Sequence, residues 1–550
     1  MTVDQSRHII QLLICTVMSV ILMSGCSDTA QPDNLEPEIE LLEVTGITRT
    51  EAVISARVVR HGSGRLTHIA FHYGVTGTID QTVPADAGQE IQTCHLTGLR
   101  PGTSYSWYVE GGTSTATLRT GTVTFTTDPN VSPSVSALTV LSTGPMGVIV
   151  SFDIVDDGGE PVLEAGCEIL NRSTMGVTRM YLSPESLTEG THRLHIGGLS
   201  LETSYTITPF ASNTTGESMG EPVDYTTQSS IVLDEPGSLS HLFDNVTTVE
   251  LGQLTVSGAM NGDDFRFLRA LLGAPALPDD PAITSAVTSV DLSDAIIRAG
   301  GDTFDGRRYT ATDELSTGLF ADCARLHTIV LPSTATVMAR DAFARCPALE
   351  ELTIPAAITD LLPSAGCPAL RDILVSKANE VYSSVDGVLF TRDGTEILWF
   401  PTGKTGAFTL PATITSIGEN AFAGTNITGL EIPASVTTIS RGAFAGTALT
   451  EIILPDNITN ITEGMFQNCA TLTTLHLGSG TEYIGNYAFD GTALTTLYVS
   501  AAMPPYVAAD GFTNRTNPFP GDAVLYVPAG SKALYRNHSR WSAFSRIIEF

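Results

Sequence analysis

Short runs of alternating apolar and polar residues begin at Glu38: AVISARVV, THIAFHYG, SYSWYVEG and TVTFTT. Turn residues separate them about every ten positions, which predicts an antiparallel β-sandwich. A second segment repeats the plan with GVIVSFDIV, LEAGCEIL, HRLHIGGL, SYTITPFAS and VDYTTQ. The two segments read as 38–127 and 131–227. Each is about 90–100 residues long, the size of one sandwich.

Beyond residue 229 the pattern becomes a repeat. A strand line of apolar residues recurs as Leu326, Ile329, Leu331, then Leu449, Ile452, Leu454, then Leu494, Leu497, Val499. A Pro often follows, as at Pro332, Pro355 and Pro433. A second apolar pair such as Val436 and Ile439 leads to a Phe: Phe343, Phe422, Phe444, Phe466 or Phe489. Adjacent copies recur every 22 or 23 residues. A unit this short cannot bury its Leu and Phe alone. Stacking gives one continuous core and one short parallel strand per coil, a solenoid. Gly366 stands where a Phe is expected. Residues 377–409 interrupt the array with a predicted hairpin turning at Arg392-Asp393-Gly394. Residues 229–310, with a predicted helix near Asp264–Leu272, read as an N-terminal cap. Residues 311–550 read as the repeats and a C-terminal cap, because an uncapped end coil exposes its apolar edge.

The N-terminus carries a targeting pattern. Residues 9–23 form an apolar run preceded by Arg7. About 15 residues is short for a membrane span and suits a signal-peptide core. The run ends in Met23-Ser24-Gly25-Cys26, which resembles the bacterial lipobox. That implies removal of 1–25 and lipidation of Cys26; the alternative is an ordinary secretory signal beside a chance Cys. Residues 26–37 are polar and acidic and read as a tether. Ser27-Asp28 and the acids that follow resemble the export signal of Bacteroidetes surface lipoproteins. The resemblance implies a lipid-anchored protein on the outer membrane, facing out of a Gram-negative cell.

Two further resemblances concern the fold. Leu96, Leu99, Pro101, Thr103 and Tyr105 recur as Ile196, Leu199, Leu201, Thr203 and Tyr205. The pattern resembles the fibronectin type III signature, in which the Tyr pins the loop before its strand. The repeat, with its Pro and its I-x-x-x-A-F element, resembles the BspA-like leucine-rich repeats of bacterial surface proteins, hairpin insertion included. The fold class expected is mainly β, with two fibronectin type III-like sandwiches followed by a capped leucine-rich repeat solenoid.

Composition narrows the function. The 550 residues hold 28 basic and 59 acidic side chains, a net charge of −31, which argues against a nucleic-acid partner. Eight Cys are too sparse for a disulfide-built scaffold. Cys323, Cys346, Cys367 and Cys469 fall at the bend after the repeat Phe and read as small buried side chains. A Cys323–Cys346 disulfide is the alternative. There is no H-E-x-x-H, no Gly-rich phosphate loop and no Cys/His run with zinc spacing. No catalytic residue, metal or cofactor is therefore expected.

The expected chemistry is binding. Side chains flanking the middle Leu of each strand line point away from the core. The candidate face is Glu431, Glu451, Ile453, Thr474, His476, Thr496 and Tyr498, with His476 and Tyr498 one coil apart. Trp399 and Phe400 lie in the hairpin, and one of them, with Trp399 as candidate, is expected to face out. What the BspA-like resemblance implies is non-catalytic adhesion, with a protein or glycan ligand at the cell surface. The alternatives are a polysaccharide-capture component of a nutrient-uptake system and a hydrolase whose site assembles only in space.

Overall fold

The computed structural model describes residues 36–61, 65–278, 280, 282–513 and 521–550. The leader, Cys26 and the tether as far as residue 35 lie outside the described residues. One compact unit ends at Val131 and another spans Ser132–Phe550.

The first unit is a β-sandwich. One sheet holds Glu38–Leu41, Ala52–Arg60 and Ile91–Leu96. The other holds Gln81–Ala85, His68–Val75, Ser104–Gly112, Thr117–Arg119 and Val123–Thr126. Strand alternation sends Ile54, Phe71, Trp107 and Val109 into the shared core. Tyr108, next to Trp107, turns the other way, stacks on His72 and lies under Arg119. The Tyr105 hydroxyl accepts a hydrogen bond from the Arg100 N–H at 2.8 Å. In the second sandwich Tyr205 does the same for Ser200 at 2.9 Å, although Leu201 stands where Pro101 is. The corner needs the hydroxyl and the bend, and tolerates loss of the proline.

The second unit begins with a sandwich that does not close on itself. Its strand Thr139–Thr143 pairs antiparallel with Ser230–Leu233 through Thr143 and Val232. Ser230–Leu233 opens the parallel stack Gln253–Met260, Ser289–Asp291, Thr328–Val330, Glu351–Ile354 and Asp372–Val375. One sheet therefore runs from sandwich into solenoid. The 3₁₀ turn Leu239–Phe243 sits on this joint and buries Leu242 and Phe243 in the solenoid core beside Ile149. Glycines make the seat. A Cβ on Gly147 would stand 2.4 Å from the Leu242 carbonyl oxygen, and one on Gly197 2.1 Å from that of Asp244. The helix Gly262–Leu271 follows, started by a capping box of Asn261 and Asp264.

In the coils, a second column of very short strands, such as Ser416–Ile417 and Thr438–Ile439, pairs in parallel. The Phe rings stack from coil to coil, with centroids 5.6 Å apart for Phe422–Phe444 and for Phe444–Phe466. The repeat thiols are free. Those of Cys346, Cys367 and Cys469 donate to the carbonyls of Phe320, Phe343 and Phe444 in the preceding coil. Burial pushes the Cys323 thiol up to about 12. The three donors tie one coil to the next at the bend, where the hydroxyls of Thr425 and Thr492 donate instead within their own coil, to the Phe422 and Phe489 carbonyls.

The hairpin corrects one expectation. Tyr382–Val385, Val388–Thr391 and Glu396–Trp399 pair antiparallel in succession. They lie between two solenoid cores. Leu389 and Trp399 pack into the N-terminal core, and Phe390, Ile397 and Phe400 into the C-terminal one. Neither aromatic faces out: Trp399 is 3 % exposed and Phe400 2 %. A strand with a core on each side has no solvent face. Phe400 also joins the Phe ladder, 5.0 Å from Phe422.

Candidate binding face

Parallel pairing in register sets equivalent side chains of successive coils side by side. Thr328, Glu351 and Asp372 form one column, and Val330, Thr353 and Leu374 the next. This first strip ends at the hairpin, where the Ile373 N–H donates to the Gly387 carbonyl at 2.9 Å. A second strip starts further on. It aligns Glu451, Thr474, Thr496 and Val524, and beside them Ile453, His476, Tyr498 and Tyr526. Glu431 belongs to neither strip, because Thr405–Thr409 and Asn426–Glu431 form a separate two-stranded sheet. Trp399 is not on the face at all.

The second strip carries an aromatic ladder. His476 and Tyr498 stack at 4.2 Å and 3°, and Tyr498 and Tyr526 at 4.5 Å and 15°. Phe550 meets Tyr498 edge-on at 5.8 Å. Glu451 Oε1 lies 3.0 Å from His476 Nε2, which fixes the ring's orientation. Ile453, at the head of the column, is 61 % exposed. Tyr526 was not among the expected residues. The signal was present, since Leu525-Tyr526-Val527 repeats Leu497-Tyr498-Val499 within what read as a cap.

A groove of about 1080 Å³ opens where the sheet is broken between Asn426–Glu431 and Glu451–Ile453. Leu430 and Ile453 contribute apolar surface, and Glu431, Glu451 and Asp456 contribute acid. The N–H and hydroxyl of Ser479 hold the Asp456 carboxyl below its ordinary 3.8, so it is ionised at neutral pH. Among the described residues no Lys or Arg lines the groove.

Among the described residues, the carboxyl pushed above its ordinary range is that of Asp264, by burial. It is held by the N–H groups of Gly237, Leu239 and Asn261, which makes it a structural cap.

A stack of coils with a Leu strand line and a Phe ladder is a leucine-rich repeat solenoid. Residues 309–381 and 400–515 match the family model described as BspA type Leucine rich repeat region, in 6 copies. Among solved structures the chain is similar to the pneumococcal vaccine antigen PcpA, at 19 % identity over 59 % of this chain and 79 % of that one, with a TM-score of 0.38. It is also similar to a leucine rich cell surface protein from Faecalibacterium prausnitzii, at 18 % identity over 60 % and 84 %, TM-score 0.32. A two-domain fibronectin type III segment of chicken tenascin matches at 13 % identity over 34 % and 97 %, TM-score 0.21. No curated protein matches the chain. Among the described residues no helix is long and apolar enough to cross a membrane.

Proposed function

We propose that this chain is a non-catalytic binding protein of the bacterial cell surface, and that the strip from Glu451 to Tyr526 with its adjoining groove takes a protein partner. The observation that carries this is the ladder itself. Both faces of Tyr498 are covered, by His476 and by Tyr526, so the middle of the ladder offers ring edges and a hydroxyl group. Sugar capture favours open aromatic faces, and the burial of Trp399 removes the platform expected in the hairpin. Exposed Ile453 beside the rings provides an apolar anchor, and the acidic groove favours a partner surface bearing Lys or Arg.

The lipobox resemblance at Cys26 supports anchoring by lipid, and Ser27-Asp28 supports display on the outer face of the outer membrane. Cys26→Ala is then expected to release the protein from the membrane fraction; unchanged membrane association refutes the anchor.

The test of function is binding of the purified chain to a panel of matrix proteins and polysaccharides. Saturable protein binding, weakened at least about tenfold in His476→Ala/Tyr498→Ala, is the expected result. Saturable binding confined to polysaccharides, unaffected by that variant, overturns the reading in favour of polysaccharide capture.

A further inference from the structure

At the joint between the second sandwich and the solenoid, three metal-ligating side chains converge. His195 lies on the strand Gly190–Gly197, His241 lies in the turn Leu239–Phe243, and Asp244 follows that turn. Asp244 Oδ2 is 3.6 Å from His241 Nδ1 and 4.0 Å from His195 Nδ1. The two imidazoles stack with centroids 4.0 Å apart. Among the described residues the three side chains form hydrogen bonds or ion pairs with nothing but one another. We propose that His195, His241 and Asp244 form a site for a divalent transition metal of the zinc class, which clamps the second sandwich to the solenoid.

Three features support this. The first is spacing. Ligand atoms held about 2.0–2.1 Å from a tetrahedral zinc lie about 3.3–3.4 Å from each other, so the Asp244 separations of 3.6 and 4.0 Å need to close by about 0.3 and about 0.7 Å, and all three ligand atoms already lie within 4.8 Å of one another. The second is rigidity. Gly197 and Gly147 bring the backbone of the sandwich directly against that of the turn, so the backbones that carry the ligands are fixed, and binding requires the stacked imidazoles to rotate until both ring planes point at one ion. The third is chemistry. A metal takes neutral imidazole, which both histidines can supply at neutral pH. The donor set of two imidazoles and one carboxylate suits zinc and its neighbours better than calcium, which takes oxygen ligands. The three side chains are half-exposed, so water has access to the remaining coordination position.

The site is independent of the aromatic strip. Its test uses the purified chain stripped of metal by a chelator. Zn²⁺ is titrated calorimetrically, and Co²⁺ is added separately to read the visible absorption of a tetrahedral site. The expected result is one saturable site that raises the melting temperature of the second unit. His195→Ala and His241→Ala are each expected to weaken it by at least about tenfold, since loss of even an outer-shell partner costs about 10–100-fold. His192→Ala, on the same strand but bonded to the Thr188 carbonyl, keeps parental binding. Asp244→Asn preserves the shape of the joint and is expected to weaken binding while leaving the metal-free melting temperature near the parent's. Absence of saturable binding by the parent, or parental binding by His195→Ala and His241→Ala, overturns the proposal.

Discussion

The two sandwiches are built from the same signature and differ in what becomes of their edges. Both pin a loop with a Tyr hydroxyl. Both brace it with a Thr, whose hydroxyl donates to the Arg100 carbonyl at 2.6 Å in the first and to that of Ser200 at 2.7 Å in the second. In the first, the edge strand Glu38–Leu41 carries Glu38 and Glu40, paired with Arg60 at 3.4 Å and Arg57 at 3.5 Å. Such exposed pairs contribute about 0–1 kcal/mol, so their value lies in keeping an open edge from recruiting another strand. In the second, the corresponding strand Thr139–Thr143 is uncharged and Ser230–Leu233 pairs with it.

The residues beneath the joint differ in the same sense. The Leu99 N–H bonds to the Thr50 carbonyl in the first sandwich, as that of Leu199 does to Met146 in the second. This alignment sets Glu51 opposite Gly147 and Thr97 opposite Gly197. Where the second copy has two glycines to seat the turn Leu239–Phe243, the first has side chains. One module thus serves either as a closed domain or as the end cap of a solenoid, which would otherwise expose an apolar edge. The choice depends on a few edge positions.

Core substitutions break this comparison most strongly. Trp107→Ala and Phe243→Ala are each expected to cost about 3–5 kcal/mol. In calorimetry, Trp107→Ala should lower the transition of the first unit and leave the second where it was. Phe243→Ala should lower the second sandwich and the solenoid together; separate transitions for those two would show that the shared sheet does not couple them. Next come the glycines. Gly147→Ala places a Cβ 2.4 Å from the Leu242 carbonyl oxygen. It is expected to cost about 1–3 kcal/mol by chemical denaturation. Glu51→Gly at the matching exposed position should cost no more than about 1 kcal/mol.

The corners sharpen the comparison by their likeness. Tyr105→Phe and Tyr205→Phe each leave a part-buried N–H without its partner, an expected loss of about 1–3 kcal/mol of similar size in both copies. The smallest effect is acid sensitivity of the second unit. Hydrogen bonds from Arg345 hold the Asp322 carboxyl below its ordinary 3.8, and those from Arg179 hold Glu217 below 4.5. Carboxyls lowered in the folded state stabilise fully above their ordinary values and lose that contribution as pH falls through the lowered ones. Asp322→Asn should therefore flatten the fall in stability below about pH 4, read by denaturant titration across pH.

Much of this molecule was legible as local pattern. Alternation set the strands of both sandwiches, and the spacing from Tyr105 to Leu99 and from Tyr205 to Leu199 set their corners. The Leu and Phe periods set the coils, and with them the neighbourhood of His476 and Tyr498. These features follow from short-range rules, because a period of two or of 22–23 residues dictates which side chains share a face or a column. Tertiary structure alone decided what depends on two distant segments meeting. Trp399 reads as a candidate surface aromatic until the second core arrives on its strand's other face. Glu431 reads as the neighbour of Ile453 in its column until the sheet breaks between them. His195, His241 and Asp244 have no motif, since the joint alone brings them together. The sequence determined the repeating units; how those units end and join was decided by edge pairing and close backbone contact, which leave no periodic trace.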